Sequence, residues 1–293
     1  LWPSGLCIHY PVDTLHWGWP AMVGSVGLLG GLTVGAWWAR YRTGWFMTGW
    51  AWFLLGLVPV LDLVQGGQQL LSDRYVYLPA IGIFVILAWA LEWLARRSWM
   101  PPRVPVGAAV VLVAGLAVVS AGQLPTWSDN ETVFNRALAV TTDNHRAHLS
   151  LANHYDEAGR QGDALQHARR AVTIKESATG YYNLGNILFR LDRARQARQA
   201  YEDALRLDPT LARAHSNLGM IAGNEGRPVA AEEHFRRALE IEPGLVVARF
   251  NLAQLLAMLG RREEAQVELR TVLSQDPGHA GARALSARIV NDR

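Results

Sequence analysis

The sequence predicts an all-α protein: a transmembrane helical bundle of about four spans, followed by an α-solenoid of stacked helical hairpins. Three observations predict it. All 12 Trp lie at or before Trp127. Charged residues are sparse up to Leu124 and dense after it, so the two parts of the chain are built for different solvents, lipid and then water. Pro209, Pro243 and Pro277 are 34 residues apart, and Gly226 to Gly260 repeats that interval. A fixed period of this length marks units that bury their apolar faces against identical neighbours.

The chain is long enough for two domains. The expected parts are 1–124, a membrane domain; 125–144, a hinge and capping helix; 145–279, four repeats; and 280–293, a terminal cap. Net charge is only +3. There is no basic stripe with interleaved aromatics, so nucleic acid is not an expected partner. Cys7 is the single cysteine, which excludes an intrachain disulfide. Cys7, His9, Asp13 and His16 in the Pro-containing N-terminal stretch match no metal-ligand spacing, so that stretch reads as a loop near a membrane surface. No metal and no cofactor is expected from these residues. The chain opens on Leu1 without an initiator Met or a signal-peptide pattern, so it is expected to be a piece of a longer protein. Lys175 is the only lysine, a usage that fits a GC-rich bacterial coding sequence.

Four apolar stretches have the length of a bilayer core, about 20 residues: 19–39, 45–64, 76–95 and 104–124. Trp17, Trp19, Trp37, Trp38, Trp45, Trp93 and Trp99 cluster at their ends as an aromatic belt. Gly24, Gly27, Gly30, Gly31 and Gly35 in the first stretch suit close helix packing in lipid. Arg40 and Arg42 follow the first span; Arg96, Arg97 and Arg103 follow the third. Arg74 is the one basic residue between spans two and three. The excess of Arg marks the cytoplasmic loops. The expected location is therefore a bacterial inner membrane, with the repeats extracytoplasmic.

Residues 65–79, QGGQQLLSDRYVYLP, form the expected outer loop. Asp73, Arg74, Tyr75 and Tyr77 lie beside the third span, and Asp62 lies at the outer end of the second. Ionisable groups at a membrane boundary are functional candidates. The planar fork of Arg74 can hold a phosphate, oriented by Asp62 or Asp73. Equally, Arg74 can pair with a neighbouring Asp and anchor the helix at the headgroups. Near the inner end of the third span, Glu92 is expected to face Arg96 one turn later.

The string SDRYVYLPAIGI resembles the DRY-x-YLP stretch of the transmembrane-and-tetratricopeptide-repeat protein O-mannosyltransferases. Pro3, Leu6, Tyr10 and Pro11 are similar to the motif preceding that family's late spans, and Trp127 with Leu138 is similar to its hinge. The resemblance implies a glycosyltransferase that uses a polyprenyl-phosphate-linked sugar, with its site on the outer face. It also implies an acidic catalytic loop early in the family's chain. No such loop is spelled here, so the catalytic residues are unknown and the chain is expected to hold the late spans and the repeats.

Within the repeats, Ala212 to Leu245 sets the pattern of a tetratricopeptide repeat. Leu218-Gly219 lies on a first helix, Gly226 breaks the chain, and Ala231, Phe235 and Ala238 pack a second helix that Pro243 ends. The small residues mark where two helices cross closely. Four repeats are expected at about 145–177, 178–211, 212–245 and 246–279. The first is one residue short, and in the second Asp192 stands where Gly is usual. Asn130 to Val140 is expected as a half-repeat cap, and Gly281 to Val290 as a solvating end helix. Asn183, Asn217 and Asn251 recur at 34 residues, with Ser150 equivalent in the first repeat. Asn153 and Asn186 lie three residues on from Ser150 and Asn183, on the same helical face. That face lines the groove of such arrays. The asparagines can bond the backbone of an extended peptide, or pair with neighbouring repeats and water.

Two functions follow as expectations. One is the late part of a membrane protein O-glycosyltransferase whose array binds a protein or extended peptide. The other is a membrane-anchored scaffold for envelope proteins that does no chemistry.

Overall fold

The computed structural model describes residues 19–57, 77–96, 101 and 103–291. Every regular element among them is helical. The chain packs as two compact units, Leu1–Leu151 and Ala152–Arg293.

The first unit contains α1 (Trp19–Ala39), α2 (Gly44–Leu57), α3 (Tyr77–Ala95), α4 (Arg103–Gln123), α5 (Asn130–Val140) and the first half of α6 (His145–Glu157). Helices α1 to α4 are apolar on every side, and their large side chains stay exposed: Trp38 is 83% and Val111 72% exposed. A helix apolar all round belongs inside a large core or a membrane. Leu78–Ala95 and Arg103–Gly122 are long and apolar enough to cross a bilayer, and only 17% and 6% of those stretches is buried within the protein. The apolar run of α1, Val23–Ala39, is shorter. The described part of the second stretch, α2, has 14 residues, and its expected continuation to 64 lies outside the described residues.

Close helix packing falls elsewhere than the glycine pattern suggests. A Cβ on Gly24, Gly27, Gly30, Gly31 or Gly35 would meet nothing within 4 Å, so the glycine run of α1 faces open space. Its spacing is helical, but no helix comes up against it among the described residues. The tight crossing is between α2 and α3. A Cβ on Gly49 would lie 2.5 Å from Ile86 Cγ1, one on Gly56 2.9 Å from Pro79 Cα, and one on Gly82 2.7 Å from Phe53 N. Small residues let the two backbones touch. Trp50, 4% exposed, donates through Nε1 to Thr33 Oγ1 at 3.0 Å, which ties α2 to α1. Arg40 stacks over Trp37 at 4.0 Å and Tyr41 at 4.2 Å at the end of α1. Glu92 and Arg96 pair at 2.6 Å, as the spacing predicts.

A short 3-10 turn, Leu124–Trp127, follows α4. Asp129 then caps α5, its carboxylate accepting from Thr132 N at 2.8 Å. Ala137 is fully buried with Ala147, and Phe134 and Leu138 close over them.

The second unit continues α6 into α7 (Gln161–Ile174), α8 (Ala178–Arg190), α9 (Ala194–Leu207), α10 (Ala212–Asn224), α11 (Pro228–Ile241), α12 (Val246–Met258), α13 (Arg262–Gln275) and α14 (Ala280–Asn291). The chain alternates first and second helices, and each pair turns on a left-handed residue: Gly159 (φ 73°), Asp192 (φ 58°), Gly226 (φ 71°) and Gly260 (φ 77°). Asp192 therefore takes the glycine conformation itself. Asp is one of the few residues with a side chain that visits this region.

Inside each hairpin the crossing residues are matched in size. Gly185 faces the Tyr201 ring, where a Cβ would lie 2.5 Å from Cε1, and Gly219 faces Phe235, where it would lie 2.7 Å from Cε1. In the last repeat Ala253 and Leu269 hold the same two places, both fully buried. Helix α14 closes the array by burying Ala282, Leu285 and Ile289 against Leu252, Leu256 and Leu269. Its other face is exposed, as a terminal cap requires.

Candidate functional site

Asp62, Asp73, Arg74 and Tyr75 lie outside the described residues, as do Cys7, His9, Asp13 and His16. Tyr77 opens α3. The loop that carries the phosphate hypothesis therefore has no described geometry, and the site that can be built is on the repeats.

The first helices of neighbouring repeats lie side by side, because each second helix packs beneath its own partner and leaves the opposite face free. Asn217 on α10 shows this directly: its Nδ2 donates to Asn186 Oδ1 on α8 at 2.9 Å. The same oxygen accepts from the hydroxyl of Tyr201 at 2.8 Å. So the amides do pair across repeats, but not in the register of the 34-residue series. Asn217 meets Asn186 of the preceding repeat, 31 residues back, rather than Asn183. Asn183 is half-buried on the same helix α8. Ser150 is half-buried and Asn153 exposed on α6.

Asn251 shows what happens when that partner is missing. The residue 31 positions before it is Met220, which packs on the apolar core and offers no acceptor. Asn251 Nδ2 is buried and has no hydrogen-bond partner among the described residues. A buried unpaired donor costs about 1–3 kcal/mol. The repeat register alone could have exposed this mismatch, by setting Asn186 and Met220 in one column.

Tyr201 was not a sequence candidate. It is 1% exposed, and burial pushes its phenol well above the ordinary tyrosine range, more than the Asn217 amide lowers it. It is a permanent donor at physiological pH.

The third repeat also carries an unforeseen histidine pair. His215 Nδ1 on α10 lies 3.3 Å from His234 Nδ1 on α11. Burial holds both rings below the ordinary imidazole range, and for His215 the neighbouring His234 adds to the effect. Glu233 and Glu202 oppose this at His234, and Arg227 reinforces it. No cluster of three or more His, Cys, Asp or Glu able to hold a metal is present among the described residues.

Adjacent repeats are further tied by ions. Arg261 reaches Glu232 of the preceding repeat at 2.7 Å and Glu264 of its own at 2.5 Å. Arg198 pairs with Glu225 of the following repeat. These pairs are partly exposed, and each contributes little alone.

Three family models, all described as tetratricopeptide repeat, match residues 131–179, 176–242 and 224–289. Among curated proteins the chain is similar to the protein O-mannosyl-transferase Tmtc3 of Drosophila melanogaster, 26% identical over 162 residues, which is 54% of this chain and 17% of that protein. It is also similar to the protein O-mannosyl-transferase TMTC1 of Homo sapiens, 24% identical over 48% of this chain and 16% of that one. The chain thus spans about one sixth of the length of the curated relatives it matches. Among solved structures it resembles PilF of Pseudomonas aeruginosa, with a TM-score of 0.51 and 18% identity over 70% of this chain and 85% of that one, a likeness of fold. The matched models run without a break across four helical hairpins and their caps, and the chain belongs to the tetratricopeptide-repeat family.

Proposed function

We propose that this chain is the membrane-held, peptide-binding part of a protein O-glycosyltransferase. The observation that carries the binding role is the Asn186–Asn217 pair, which sets amide groups side by side on neighbouring first helices. An extended peptide has one donor and one acceptor per residue. Amides read that backbone whatever its side chains are, as an enzyme with many protein acceptors needs. The similarity to two protein O-mannosyl-transferases supports the chemistry.

In this reading α1 to α4 cross the bilayer as a four-span bundle, with the repeats on the outer face. The exposed apolar surface of α1 to α4 supports it. The five Arg of the 40–42 and 96–103 loops stand on the cytoplasmic side. Arg74, with Asp62, Asp73, Tyr75 and Tyr77, holds the phosphate of a polyprenyl-phosphate-linked sugar, and the array delivers the acceptor.

The test is sugar transfer from polyprenyl-phosphate-linked mannose to a protein acceptor, by membranes holding matched amounts of the full gene product. Arg74→Lys should lose much of the transfer and Arg74→Ala more, because Lys keeps a point charge but not the fork. Transfer unchanged in both variants removes the loop from the site. A periplasm-active reporter fused after Arg293 should be active; activity of a cytoplasm-only reporter there would overturn the topology. If no transfer occurs but envelope proteins are retained by the array, the chain is a scaffold. The peptide-reading amides serve that role equally.

A further inference from the structure

Tyr201 does more than fill the space beside Gly185. Its hydroxyl carries one proton and donates it to Asn186 Oδ1. Asn217 donates its amide to the same oxygen. Two donors therefore converge on one atom of Asn186, and that atom can only be the carbonyl oxygen. Turning the Asn186 amide over would set its NH2 against a hydroxyl donor and a second NH2. The same constraint passes to Asn217, which must present nitrogen to Asn186.

Two atoms are left over. Asn186 Nδ2 and Asn217 Oδ1 make no hydrogen bond among the described residues, and neither is an enclosed polar atom. They remain open to solvent, a donor on α8 and an acceptor on α10. That is the complement of the C=O and N–H of a peptide backbone.

We propose that Tyr201 is a positioning residue that sets the polarity of this amide pair, so that α8 offers a donor and α10 an acceptor to the backbone of an extended peptide. The inference rests on the peptide-binding reading above. It adds a fixed sense: the ligand carbonyl sits toward α8 and its N–H toward α10. Binding is blind to side chains but depends on the backbone amide.

The test uses the full chain in detergent micelles and a short fluorescein-labelled Gly/Ser/Thr peptide, which carries no side-chain amide. Tyr201→Phe keeps the ring against Gly185 and removes only the donor. It should weaken binding roughly three- to tenfold, the worth of one hydrogen bond. A peptide with esters in place of alternate amides should lose affinity on the wild-type chain by a similar factor. A spectrum of the chain labelled with 15N-asparagine reads the lock without ligand. Asn186 should give two well-separated side-chain protons in the wild type, which converge in Tyr201→Phe. Equal binding by wild type and Tyr201→Phe, with unchanged asparagine signals, overturns the lock and leaves the groove standing. Failure of the wild type to bind the peptide at all overturns the groove reading, and the inference with it. Should Tyr201→Phe fail to fold, the wild-type spectrum decides: averaged Asn186 protons overturn the lock.

Discussion

Asp192 occupies, at φ 58°, the turn position that Gly226 fills at φ 71°. The two residues stand at the same place in consecutive repeats, and only one of them lacks the Cβ that this conformation penalises. Asp192→Gly should therefore stabilise the second repeat, by an amount on the order of 1 kcal/mol. Urea unfolding followed by circular dichroism measures it, and a lower midpoint in the glycine variant would contradict the argument.

The glycine crossings predict a loss and a rescue. Gly219→Ala places a methyl group 2.7 Å from Phe235 Cε1, so helix or ring must move. Overpacking of this kind costs about 1–3 kcal/mol. The chain already contains the compatible alternative, Ala253 with Leu269. Gly219→Ala with Phe235→Leu should recover most of the loss in a double-mutant cycle. A pair that is simply additive would show that the contact is not the cause.

Asn251 and Asn217 should respond oppositely to the same change. Asn251→Leu removes a buried donor that has no partner, and should raise stability by up to about 1–3 kcal/mol. Asn217→Leu breaks the bond to Asn186 and should lower stability by about 1 kcal/mol. Thermal melts of the two variants compared with wild type give the signs directly.

The His215–His234 pair makes the array sensitive to acid. Both folded-state pKa values lie below the unfolded value of 6.5, chiefly through burial. The unfolded chain then binds more protons than the folded one as pH drops below that value. The contribution is fully present above 6.5 and is lost as pH falls through the window down to the folded values. Glu233 and Glu202 temper the effect, and Arg237 and Arg227 strengthen it. Replacing both histidines by Gln should flatten the stability profile between about pH 7 and pH 5. His167, also lowered by burial, leaves a smaller slope of the same sign. An undiminished slope in the double variant would show that other groups carry it.

Much of this protein was legible in one dimension because repetition and composition are one-dimensional properties. The 34-residue prolines and glycines mark where helices must stop, since proline cannot continue a helix and the turn needs a left-handed residue. Hence the helices of the repeats begin at 178, 212, 246 and 280, on the expected period. The concentration of Trp and the scarcity of charge before Leu124 likewise announced helices whose apolar sides stay exposed. Glu92 and Arg96 paired as their spacing implied, because a separation of four residues on one helix is already a distance in space.

What only the tertiary structure decided concerns contacts between helices, which no period along the chain encodes. The glycines of α1 are spaced for packing yet face nothing among the described residues, while Gly49, Gly56 and Gly82 make the close crossing. Which stripe is covered depends on the neighbouring helix, not on the stripe. The asparagines recur every 34 residues, but the bond forms across 31, because the facing residue on the next first helix lies almost one turn away from the equivalent one. That offset brings Tyr201 onto Asn186, leaves Asn251 opposite Met220, and sets which amide atoms remain free to meet a ligand.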